Sequence, residues 1–132
     1  MLEYIRDGDE TLVVIIRSGY TSSGLNFFTS NDSSLQLGYM QHPKDHVIPA
    51  HVHNRVTRTV EKTMEVLLVK SGGVLLDIYT ENGSLLGQRQ LCPGDVVLLA
   101  SGGHGMTMLD DAEIIEVKQG PYLGDRDKVR IG

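Results

Sequence analysis

The 132-residue chain has no tryptophan, and aromatic residues make up 5% of it, so composition gives little support for an aromatic substrate. It has one cysteine, Cys92, and no internal disulfide can form. That removes one mark of a small secreted domain and favours a reducing compartment. The N-terminal MLEYIRDGDE is acidic and has no apolar leader core. The longest apolar runs are about six residues, against the roughly 20 a membrane helix needs. The expected location is therefore cytoplasmic, with no membrane partner. Basic residues number 12 against 17 acidic ones, a net charge of −5. A nucleic-acid partner is not expected, because neutralising phosphates needs a basic face. Helical patterning is missing as well: no long window carries an i, i+3, i+4, i+7 apolar stripe behind a capping residue.

What the chain does have is glycine and short apolar runs. Fifteen glycines are scattered without a repeat, which suggests many tight turns between short strands. Runs rich in Val, Ile, Leu and Tyr span Thr11–Arg17, Ser34–Gln41, Met64–Lys70, Val74–Thr80, Ser84–Leu91, Asp95–Ala100, His104–Leu109 and Ala112–Lys118, and Gly24–Phe28 is a further candidate. Runs at this spacing predict an all-β sandwich or barrel. Asn82-Gly83 predicts a two-residue hairpin turn, and Cys92-Pro93-Gly94-Asp95 a tight turn with glycine at the positive-φ position. No linker divides the chain, so residues 1–132 are read as one domain. Ser18 to Leu37 is Ser/Asn-rich and suits a flap or an arm, and the last dozen residues suit an irregular tail.

Chemistry concentrates in HVIPAHVHNRVTRTVEKTMEVLLVKSG, from His46 to Gly72. His51 and His53, two apart, share one side of an extended chain. Glu65 opens an apolar run, where a carboxylate is costly unless it is paired or bound to a cation. His104 follows two glycines that permit close backbone approach. Three imidazoles and one carboxylate suit a borderline divalent transition metal such as manganese, iron, nickel, cobalt or zinc.

These residues carry a resemblance to the cupin superfamily. Its first motif runs from His-x-His to a glutamate and then a glycine, here His51, His53, Glu65 and Gly72. Its second runs from a glycine to a Pro-Gly turn and a histidine, here Gly87, Pro93, Gly94 and His104. The resemblance implies an antiparallel β-barrel, or jelly roll (double-stranded β-helix). Its core would lie at about 38–118, with N-terminal strands or an arm over 1–37 and a tail over 119–132. It also implies His51, His53, Glu65 and His104 as metal ligands. The stretch between His53 and Glu65 is longer than the family's, which leaves Glu61 as an alternative ligand, or no glutamate at all. The tail EVKQGPYLGDRDKVRI is similar to the closing segment of mannose-6-phosphate-isomerase-type cupins. That implies a metal-dependent isomerase or epimerase acting on a sugar or sugar phosphate. Cupins also include non-haem iron dioxygenases and non-catalytic ligand-binding or sensor proteins.

On the first reading, His46 and Tyr79 are candidates for proton transfer. Arg55 and Arg58 are candidates to hold a small anionic ligand, because guanidinium grips carboxylate or phosphate with two parallel bonds. Edge strands rich in apolar residues, together with the small-cupin habit of pairing, lead to a homodimer as the expected assembly.

Overall fold

The computed structural model describes residues 1–131. Its strands are β1 (Leu2–Asp7), β2 (Glu10–Ile16), β3 (Gly24–Phe27), β4 (Gly38–Gln41) and β5 (Glu65–Ser71), followed by β6 (Val74–Tyr79), β7 (Leu85–Leu91), β8 (Val96–Leu99), β9 (Gly103–Met108) and β10 (Glu113–Lys118). The one helical element among the described residues is a short 3-10 turn at Gly124–Arg126. The chain divides into two compact units, Met1–Tyr20 with Lys62–Gly132, and Thr21–Glu61.

The larger unit contains a five-stranded antiparallel sheet in the order β1-β2-β8-β5-β10 and a three-stranded antiparallel sheet in the order β7-β6-β9. In β6 the alternation is strict, with Val74, Leu76 and Ile78 fully buried and the residues between them only half-buried. That is the period-two pattern of a strand with one face on a core. Those three side chains join Leu12, Val13 and Ile15 of β2, Leu67 and Val69 of β5, Leu91 of β7, and Val97 and Leu99 of β8 in one buried cluster. The two sheets therefore stack with this cluster between them. Each fully buried Leu or Ile contributes about 1.5–3 kcal/mol relative to exposure.

The antiparallel all-β expectation holds, but no sheet closes into a barrel. β1 and β10 are the edges of the larger sheet, and β7 and β9 the edges of the smaller one. The inward row of β9 carries His104, and that of β10 carries Glu116 and Lys118. Charged and polar groups on an inner row are cheaper at an open edge than sealed under a ladder.

Of the two turns expected from the sequence, one forms as read. Gly94 has φ +88 and the Asp95 N–H donates to the Cys92 carbonyl at 3.0 Å. Asp95 is buried there, its Oδ2 accepting from Arg17 Nη1 at 2.9 Å and from the Cys92 N–H at 2.8 Å, its Oδ1 from the Ser18 N–H at 2.8 Å. The Asn-Gly turn is longer than expected. Tyr79 pairs with Leu85, the Gly83 N–H donates to the Thr80 carbonyl, and Gly83 alone in that loop has positive φ. A two-residue type I′ turn needs positive φ at both centres. Here Thr80 Oγ1 instead bonds Asn82 Oδ1 at 2.5 Å, which occupies the asparagine side chain.

The smaller unit is a hairpin of β3 and β4 followed by an arm without regular secondary structure. The run expected from Ser34 becomes a strand only at Gly38. Gln36 Nε2 donates to the Ser30 and Ser33 carbonyls at 2.9 and 2.8 Å, and Ser33 Oγ to the Leu35 carbonyl at 3.0 Å. Those local bonds occupy carbonyls that a ladder would otherwise use.

Candidate metal centre

In the larger unit Glu65 of β5 opposes Leu99 of β8, and His104 of β9 opposes Ile78 of β6. Leu99 and Ile78 both belong to the buried cluster. Directly opposed residues share a face, so Glu65 and His104 point into the space between the sheets, one from each. They meet there, with His104 Nε2 3.2 Å from Glu65 Oε2. Their side chains are 33% and 16% exposed, so the pair is sheltered yet reachable from solvent. This answers the cost of a carboxylate at the head of an apolar strand: Glu65 has a cationic or hydrogen-bonding partner.

Glu116 stands on the same inner row, opposite Leu67. The hydrogen bond from His104 holds Glu65 below the ordinary carboxylate range, with the bond to Glu116 adding to it against the opposing cost of burial. Glu116 moves the other way, raised chiefly by its hydrogen bond with Glu65 and then by burial. The two carboxyl groups are thus pushed apart, Glu65 toward its charged form and Glu116 toward its neutral one. Lys118 favours the charged form of both.

In the smaller unit His51 and His53 lie close together, ring centroids 5.2 Å apart and inclined at 76°. Metal–nitrogen bonds of about 2.0–2.1 Å at tetrahedral angles place two imidazole centroids about 5 Å apart. His51 Nδ1 is 2.9 Å from the Pro49 carbonyl oxygen. A carbonyl only accepts, so Nδ1 carries a proton in that bond, which leaves Nε2 as the nitrogen for a metal. That is how a metal-binding histidine is commonly oriented. In the same terms, donor atoms bound to one ion at about 2.0–2.2 Å lie about 3 Å apart, which the Glu65–His104 pair satisfies. Each pair has donor types that a transition metal takes, at a spacing compatible with one ion and also with a direct hydrogen bond or ring contact. Among the described residues no three His, Cys, Asp or Glu side chains form one metal-holding group, so neither unit has a complete set of its own.

The remaining sequence candidates are placed as follows. His46 stacks on His42, with ring centroids 4.0 Å apart and an interplanar angle of 9°. Arg55, Arg58 and Glu61 are exposed in the arm. Tyr79 follows the inward Ile78 and so lies on the outer face of β6, where a Cβ built on its partner Gly103 would be 3.3 Å from the Tyr79 side chain. It does not share a face with His104. The sequence reading missed Glu116, although its alternation with Ile114 and Lys118 in AEIIEVK put a carboxylate on the apolar side of a strand. It also missed buried Asp95, which it took only as part of a turn.

No helix among the described residues is long and apolar enough to cross a membrane. No family model, no curated protein and no solved structure matches the chain.

Proposed function

We propose that this chain is a cupin-type metal-binding protein, its stacked sheets serving as the two halves of a jelly roll. In this reading it acts on a small anionic ligand, a sugar or sugar phosphate, as an isomerase or epimerase. The observation that carries the metal reading is the Glu65–His104 pair, one donor from each sheet, meeting at 3.2 Å inside the larger unit. His51, with its Nδ1 proton committed to the Pro49 carbonyl, and His53 beside it supply the other two donors.

A bound manganese, iron, nickel, cobalt or zinc ion supplies Lewis acidity toward a carbonyl or diol. The chain's own residues do the rest. Glu116 orients Glu65 by hydrogen bonding to it, the second partner that metal-binding carboxylates usually have. Arg55 and Arg58 hold the anionic end of the ligand. Proton transfer falls to His46, because Tyr79 lies on the outer face of β6.

The test is metal content by mass spectrometry on untagged protein, with His51→Ala and His104→Ala beside it. Near-stoichiometric metal in the parent, lost in both variants, is the expected result. No metal after manganese, iron, cobalt, nickel and zinc have each been offered would overturn the reading. Bound iron with a strict need for oxygen would replace the isomerase with a dioxygenase.

A further inference from the structure

The arm of the smaller unit, between β4 and β5, belongs to no strand. Every residue from Pro43 to Glu61 is exposed, and none of the described backbone–backbone hydrogen bonds involves residues 47–61. Yet this stretch is rich in β-branched residues, which favour a pleated, half-buried setting. Val52 is 91% exposed, Val47 75% and Val56 59%. Solvated valines outside any strand are apolar surface that a partner could cover.

The larger unit offers what the arm lacks. β9 and β10 are free edges. Met106 and Met108 share the inner row of His104 and are exposed, and so are Ile115 and Val117 on the other face of β10. Charge is divided in the same sense. The smaller unit holds three basic residues, Lys44, Arg55 and Arg58, and three acidic ones, Asp32, Asp45 and Glu61, so the whole net charge of −5 falls in the larger unit. Residues 46–60 contain Arg55 and Arg58 and no acid, whereas the run into and through β10 contains Asp110, Asp111, Glu113 and Glu116 against one base, Lys118.

We propose that residues 46–60 of one copy dock as a strand on the β9–β10 edges of a second copy, reciprocally. His51 and His53 of each chain then complete the Glu65–His104 pair of the other. This rests on the metal reading above and adds that the site is built in trans. A second copy is the occupant because the acidic, apolar edge and the basic, apolar arm belong to one sequence, and each carries half of the donor set. Exchange between two copies closes as a twofold dimer. Extended, the arm reaches about 50 Å, enough to span to a neighbour.

Two full-length double variants test it, His51→Ala/His53→Ala and Glu65→Gln/His104→Ala, differently tagged, refolded together and purified as the mixed dimer, with zinc as the probe. Each variant alone should hold no zinc, and the mixed dimer should recover one ion per two chains. A mixed dimer without zinc, or no mixed dimer at all, while the parent chain loads fully, overturns assembly in trans. If the parent binds no metal, the metal reading falls, and molar mass decides the exchange separately. A dimer that Val52→Asp/Val56→Asp converts to monomer supports it, and a parent that is monomeric at micromolar concentration overturns it.

Discussion

The two units contain similar residue types and use them differently. In the larger unit the valines, leucines and isoleucines alternate along strands that have neighbours, and they disappear into one cluster. In the smaller unit Leu25, Phe27 and Met40 of the hairpin remain exposed, and of its described apolar side chains only Phe28 counts as buried. Its hairpin loop is tied by polar bonds from Gln36 and Ser33. Apolar composition alone does not make a core. Burial requires that the apolar row of one sheet find the apolar row of another, and here only one unit has two sheets to stack.

The sharpest way to break this contrast is to shorten one side chain in each unit. Leu76→Ala in β6 should cost about 2–5 kcal/mol in urea unfolding, from lost burial and a residual cavity. Leu25→Ala in β3 should stay within about 0.5 kcal/mol, as exposed substitutions do. Comparable losses would erase the distinction. Next comes the polar anchor of the larger unit. Asp95→Ala removes the acceptor for Arg17, Ser18 and Cys92 at a buried position, with an expected loss of about 2–4 kcal/mol. Lys62→Ala, which breaks the exposed pairs with Glu10 and Glu81, should cost at most about 1 kcal/mol.

Gln36→Ala should loosen the smaller unit by about 1 kcal/mol, seen as faster amide exchange across Phe27–Gly38 while the larger unit is unchanged. The smallest effect concerns the carboxyl pair. Glu65 is held low, so its stabilisation is present above the ordinary carboxylate range and lost as pH falls through its lowered value. Glu116 is held high, so its contribution is full below the ordinary value and lost as pH rises through the raised one. Glu116→Gln keeps the hydrogen-bond donor and removes that second loss. Thermal melts across pH should flatten above the ordinary range by less than about 0.5 kcal/mol, since Glu116 is exposed and screened.

Much of this contrast was legible in the sequence, because period-two burial leaves a period-two pattern. β2 and β5 through β10 all lie within a residue or two of the runs that suggested them. β1 was not, because Leu2–Asp7 mixes its apolar residues with charges and buries only Ile5. The arm was not among those runs and forms no strand: Val52, Val56 and Thr57 favour one, but a strand also needs a neighbour, and propensity does not name one. His51, His53, Glu65 and His104 stood out by spacing. Glu116 did not, since its importance comes from the register that sets it opposite Leu67, and register is a property of pairing.

The most direct test of the account is the K-edge X-ray absorption spectrum of the loaded protein, with the parent chain and His104→Ala measured side by side. The expected first shell is nitrogen and oxygen only, with the outer-shell scattering of several imidazoles that weakens in the variant. A sulfur ligand from Cys92, or an imidazole pattern unchanged by His104→Ala, would contradict it.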